Sequence, residues 1–130
     1  MVIILNVALE NHPGSLAEVL EIVSRAEINV DALEAEAMGD FGMAHILCGK
    51  PKLAGELLRQ DGYDVVEAEA LELIVANKYG EVQKICEKLA GNGVNVVSIF
   101  GTMPLPPATS GRVIVRVNDV KKAKAVLGFK

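Results

Sequence analysis

Residues 5–16 read LNVALENHPGSL, and residues 71–82 read LELIVANKYGEV. In the first stretch Leu5, Val7 and Leu9 alternate with Asn6, Ala8 and Glu10, the period-two pattern of a half-buried strand. In the second, Leu71, Leu73 and Val75 alternate in the same way with Glu72, Ile74 and Ala76. Each strand runs into a four-residue turn, Asn11-His12-Pro13-Gly14 or Asn77-Lys78-Tyr79-Gly80. Asn suits a helix N-cap and Pro a first helical turn, so a helix is expected to start at this turn.

Working outward, Leu16, Val19, Leu20 and Val23 fall at i, i+3, i+4 and i+7 and make one apolar helical stripe. Val82, Ile85, Cys86 and Leu89 do the same. A shift of 66 residues places Asn11 on Asn77, Gly14 on Gly80, Glu21 on Glu87, Asn29 on Asn95 and Val30 on Val96. The apolar stripe, Ile28 and Leu33 follow it without a gap. The chain is therefore read as one unit in duplicate, since a repeat decides the whole architecture.

The second helix should stop at Gly91 or Gly93 through a left-handed cap. Second strands are expected over about Asn29 to Met38 and Val94 to Met103. Gly39-Asp40-Phe41-Gly42 turns the first copy into a third strand, Met43 to Cys48. The matching connection, Pro104 to Gly111, is longer and leads to Val113, Val115 and Val117. Second helices follow at about Pro51 to Gln60 and Asp119 to Leu127. A fourth strand, Tyr63 to Ala68, closes the first copy, whereas none is visible after the last helix of the second. Strand-helix-strand, hairpin, helix-strand is the split βαβ arrangement. The expected class is α+β, with two ferredoxin-like βαββαβ modules, residues 1–68 and 69–130, the second lacking its last strand.

Composition sets the outer bounds. The chain has 130 residues, is 51% hydrophobic and 23% charged, and has no Trp and only three Phe and two Tyr, so an aliphatic core is required. A net charge of −4 disfavours nucleic acid. Lys121, Lys122 and Lys124 read as the solvated face of the last helix. No apolar run approaches the ~20 residues that span a bilayer, and the start lacks the basic flank of a leader, so a cytoplasmic location is expected. Cys48 and Cys86 have no CxxC or His/Cys spacing and read as buried thiols; no metal or cofactor is expected. His45 has no acidic partner nearby in sequence and reads as structural. Glu34 and Glu36 are spaced like an exposed strand face, and no phosphate loop, Gly-x-Ser-x-Gly or Cys/His pair is present, which argues against an enzyme.

The apolar strand, Asn11-His12-Pro13-Gly14, Leu16-Ala17-Glu18-Val19-Leu20 and Ile28-Asn29-Val30 together resemble the ACT domain, a small ligand-binding module attached to enzymes of amino-acid metabolism. The resemblance implies ligand-contact roles for Asn11, His12, Pro13, Gly14 and Asn29, and for Asn77, Gly80 and Asn95 in the second copy. It also implies that modules pair side by side, with ligand at the seam, so that Asn11 of one meets Asn95 of the other. The chemistry suits a small zwitterion. A helix start offers free N–H groups and partial positive charge, Gly14 removes a blocking side chain, and Asn supplies both donor and acceptor. The same residues also have plainer readings: Asn11 and Asn77 as helix caps, the glycines as close-packing positions, His12 as an exposed side chain. Leu9 and Val75 stand where some amino-acid sensors of the family carry a polar ligand contact, and Tyr79 replaces the Pro of the motif.

The implied function is a regulatory protein that binds an amino acid or similar small metabolite and signals to a partner enzyme or to another copy of itself as a homo-oligomer. The alternative is an assembly module that binds no ligand and offers the sheet edge of its shorter copy to another subunit or to a partner enzyme.

Overall fold

The computed structural model describes residues 1–129. Those residues form two compact units: Ile3–Ala68, and residues 69–129 together with Met1–Val2.

The first unit contains β1 (Val2–Glu10), α1 (Ser15–Arg25), β2 (Val30–Met38), β3 (Phe41–Cys48), α2 (Pro51–Gln60) and the start of β4 (Val65–Ala76). Its strands lie in the order β2-β3-β1-β4. β3 is antiparallel to both neighbours, with Leu5 opposite Ile46 and Glu34 opposite His45. The alternation read from the sequence decides which face is dry: Leu5, Val7 and Leu9 pack with Ala44, Ile46 and Cys48 against Val19 and Val23 of α1 and Ala54 and Leu58 of α2. Both helices therefore cover one face of the sheet, as the split βαβ connection requires.

The second unit repeats the plan with the remainder of β4, α3 (Glu81–Gly91), β5 (Val96–Thr102), β6 (Ser110–Val117) and α4 (Val120–Leu127), its strands ordered β4-β6-β5. Leu71 and Val75 pack with Val113, Val115 and Val117 beneath Leu89 of α3 and Ala123 of α4. The register agrees with the repeat to the residue: α1 and α3 begin and end 66 positions apart, and both second strands carry a bulge at their start, between Val30 and Ala32 and between Val96 and Ser98. No strand follows α4 among the described residues.

Three expectations change. The fourth strand of the first copy and the first strand of the second are one strand, β4, of 12 residues, because no turn-forming residue interrupts Val65–Ala76. The helix caps are Gly14 and Gly80, at φ 92° and 78°, with no side-chain cap bond, so Asn11 and Asn77 do not cap and Pro13 precedes the helix. A left-handed backbone at that point favours glycine, because an L side chain there is strained by about 1–2 kcal/mol. Finally, Cys86 is only half-buried, while Cys48 is buried as expected and has its thiol pushed up by burial.

The α1 and α3 C-termini close alike. Ile28 N–H donates to Val23 O at 3.3 Å, and Val94 N–H donates to Leu89 O at 3.0 Å. Each closure needs one left-handed residue. The second copy uses Gly93 (φ 70°); the first uses Glu27 (φ 57°), the one non-glycine residue described with positive φ.

Candidate functional site around the loop after β1

Asn11 works as a latch. Its backbone N–H donates to Asp40 O at 2.8 Å and its side-chain Nδ2 donates to Gly39 O at 2.8 Å. The loop that precedes α1 is thus fastened to the β2–β3 hairpin by both main chain and side chain. Asn77 repeats the arrangement across the longer hairpin, with N–H to Thr109 O at 2.8 Å and Nδ2 to Pro104 O at 3.4 Å. A cap would bond its own helix; these residues bond a turn about 28 positions downstream.

His12 follows at the surface. Its Nδ1 lies 3.0 Å from Pro13 O, its Nε2 lies 3.3 Å from Glu10 Oε2, and the Ser15 hydroxyl is within 3.2 Å of the ring. The hydrogen bond to the Pro13 carbonyl holds the imidazole pKa above its ordinary value, with smaller help from Glu10 and Glu18. Ser15, the first residue of α1, is buried under this ring.

Two cavities flank the loop, and both have Leu9, Glu10, His12 and Ser15 in their walls. The larger, about 290 Å³, is completed by Glu18 of α1, Phe41 of β3 and the Gly62-Tyr63-Asp64 turn between α2 and β4. The smaller, about 180 Å³, opens toward the end of β2, adding Asn11, Ala35, Glu36 and Ala37. The α2–β4 turn is held over β1 by Tyr63 N–H to Leu58 O at 3.1 Å and Ala8 N–H to Asp64 O at 3.1 Å. The Tyr63 hydroxyl then donates to Glu18 Oε2 at 3.1 Å, and partial burial, followed by Glu18, pushes its pKa up.

Asn11, His12, Pro13 and Gly14 thus stand together. Asn29 does not join them within its module. It precedes β2, whereas the latch sits beyond the other end of that nine-residue strand, about 30 Å away at the usual rise per residue. Its side chain donates instead to Asp31 Oδ1 at 2.8 Å. Asn95 is likewise at the start of β5, where it accepts from Asn118 N–H and donates its own N–H to Asn118 Oδ1, while Asn77 and Gly80 sit by the other end. Glu18, Phe41, Tyr63 and Asp64 were missed by the sequence reading. Tyr63 and Asp64 reach the site only through a turn made near residue 62, so no local motif marks them.

His45 does have an acidic partner. Across β1, β3 and β2, Asn6 Oδ1 bonds His45 Nδ1, and His45 Nε2 lies 3.4 Å from Glu34 Oε2; Asn6 Nδ2 donates to Val66 O. No group of three or more His, Cys, Asp or Glu arranged to hold a metal occurs among the described residues. Nor is any helix among them long and apolar enough to cross a membrane.

Among solved structures, the chain is similar to protein BT0572 from Bacteroides thetaiotaomicron, with a TM-score of 0.90 at 24% identity over 98% of this chain and 86% of that one. The regulatory subunit of aspartate kinase from Thermus thermophilus is similar at a TM-score of 0.74 and 15% identity, over 98% and 89%. A structure of aspartokinase alpha and beta subunits is similar at 0.69 and 22%, over 96% and 88%. At these identities the likeness shows the fold. No curated protein matches. The family model for the ACT domain pair matches residues 1–130, end to end. With two βαββ units in tandem, each carrying the same latched loop before its first helix, the chain belongs to the ACT domain pair family.

Proposed function

We propose that this protein is a regulatory module without catalysis of its own, which binds a small amino-acid-like metabolite beside the loop after β1 and relays occupancy to a partner. The observation that carries this reading is the pair of cavities, about 290 and 180 Å³, that share Glu10, His12 and Ser15 as walls. Each is of a size for a free amino acid, at or below the lower end of the range for drug-sized ligands, about 300 Å³. Gly14 and the start of α1 supply N–H groups for a carboxylate, and Asn11, His12 and Pro13 shape the loop that meets it. Asn29, Gly80, Asn77 and Asn95 retain the contact role suggested by the resemblance if residues 1–68 and 69–130 act as two binding modules of an assembly. A regulatory module of this kind acts in the cytoplasm on an enzyme of amino-acid metabolism or on a second copy of the chain. Binding that favours one arrangement shifts its population, which is how occupancy becomes signal.

A second reading, an assembly module, draws on one observation: Tyr79 and Leu105 of the second unit are almost fully exposed, with Ile74 also open to solvent. Calorimetric titration of the full chain against the twenty amino acids tests both. Saturable heat with any of them, weakened by Asn11→Ala and His12→Ala, supports the sensor. No heat with all twenty, together with a stable oligomer dispersed by Tyr79→Ser or Leu105→Ser, overturns it in favour of assembly.

A further inference from the structure

The two copies share backbone plan and register but differ in charge where the larger cavity lies. In the first unit the walls carry three exposed carboxylates, Glu10, Glu18 and Asp64, and no Lys or Arg; their one basic side chain, His12, lies 3.3 Å from Glu10. At the register-matched positions of the second unit, Glu10 becomes Ala76, His12 becomes Lys78 and Glu18 becomes Lys84. The strand end, loop and helix carrying these residues recur at the fixed offset of 66, so the contrast is one of chemistry at equivalent places.

Two aromatic rings complete the first cavity. Phe41 stands opposite Glu10 in the β1–β3 register and is 67% exposed, an unusual position for a phenylalanine on a strand. Tyr63 forms another wall, its hydroxyl engaged by Glu18. The floor is apolar, from Ala8 and Leu9. Carboxylates beside an apolar floor and two aromatic side chains favour an alkyl chain ending in a cation. An anionic group in the same space would face these carboxylates with His12, beside Glu10, as the one basic side chain in the walls.

We infer that the cavity walled by Glu10, Glu18, Phe41, Tyr63 and Asp64 selects a small ligand with a basic terminal group, a primary amine or guanidine, and that the second module does not bind it. The inference rests on the binding reading above and names the ligand class for that site. The α-carboxylate and α-amine of a basic amino acid stay near the loop and the first turn of α1. Its side chain crosses Leu9 toward Glu18 and Asp64. Because the walls are exposed, the selectivity is electrostatic and weakens with salt.

The test uses the full chain and pairs each basic amino acid with a neutral isostere: L-lysine against L-norleucine, L-arginine against L-citrulline. At low salt the basic member is expected to bind at least about tenfold more tightly. The preference should fall by a similar factor in Glu18→Gln/Asp64→Asn, which keeps an acceptor for the Tyr63 hydroxyl, and should be unchanged in Lys84→Gln. Backbone amide signals of residues 8–18 and 62–64 should shift on binding and those of residues 76–84 should not. Equal binding of the isosteres, a preference that survives the double substitution, or shifts at 76–84 would each overturn the inference while leaving a binding protein. Silence from every amino acid would overturn the binding reading with it.

Discussion

The latch formed by Asn11 separates two physical roles that one residue type can play. Replacing Asn11 with Ala removes the 2.8 Å bond to Gly39 O but leaves the backbone bond to Asp40 O intact. The lost bond is neutral and exposed, so the cost is about 0.5–1 kcal/mol. For a module of this size that lowers the melting temperature by about 3–6 °C. Asn11→Asp is the decisive variant. If the residue acted as a helix cap, Asp would serve as well as Asn and stability would be unchanged. As a latch it fails, because a carboxylate cannot donate. Its oxygen would also face the Gly39 carbonyl, close to Glu10 and Asp40, so Asp should cost as much as Ala or more, about 1–2 kcal/mol. Asn77→Asp should cost less than half as much, since its bond to Pro104 O is 3.4 Å long. Denaturant midpoints of the four proteins, with hydrogen exchange at residues 39–42, read the outcome. A wild-type midpoint for Asn11→Asp beside a lowered one for Asn11→Ala would refute the latch and restore the cap.

Two further outcomes follow from the two ends of α1. Glu27→Gly, which copies Gly93 of the second unit, should stabilise the chain by up to about 1 kcal/mol by relieving a left-handed glutamate, measured by the denaturation midpoint; a destabilised variant would show that Glu27 is held there by something other than its helix closure. His12 should titrate above the ordinary imidazole value in NMR, mainly through its bond to Pro13 O. Its raised folded pKa contributes stability that is complete below the unfolded pKa and lost as pH rises through the folded value. The contribution should vanish in His12→Gln, and Glu10→Gln should lower the pKa only partly.

The repeat made the architecture legible. Alternation at residues 5–9 and 71–75, and stripes from Leu16 and Val82, set strand and helix without knowledge of any partner. The fixed offset holds only to the hairpins: the ends of β3 and β6, Cys48 and Val117, lie 69 positions apart because the second connection is longer. What could not be read is whatever depends on distant backbone. Asn11 looked like a cap because its partner, Gly39, is remote in sequence. Tyr63 and Asp64 looked like the start of a strand, yet they wall a cavity because Ala8 bonds the Asp64 carbonyl. The aliphatic core was visible in advance because burial follows period; the carboxylate-lined cavity was not, because its members come from four separate elements.

The point at which the repeat changes copy, between Ala68 and Glu69, lies inside β4, while Met1–Val2 count with the second unit although β1 belongs to the first. The second unit is drawn from two separate stretches of chain, and the first, Ile3–Ala68, ends in the middle of a strand. A scissile site at 68/69 has no linker to offer a protease, since extended β backbone resists the local opening that cleavage demands. Nicking should begin at residues 104–109 instead, and cloning either copy alone would halve a strand. The joint between the copies therefore has no linker: it is strand backbone on either side.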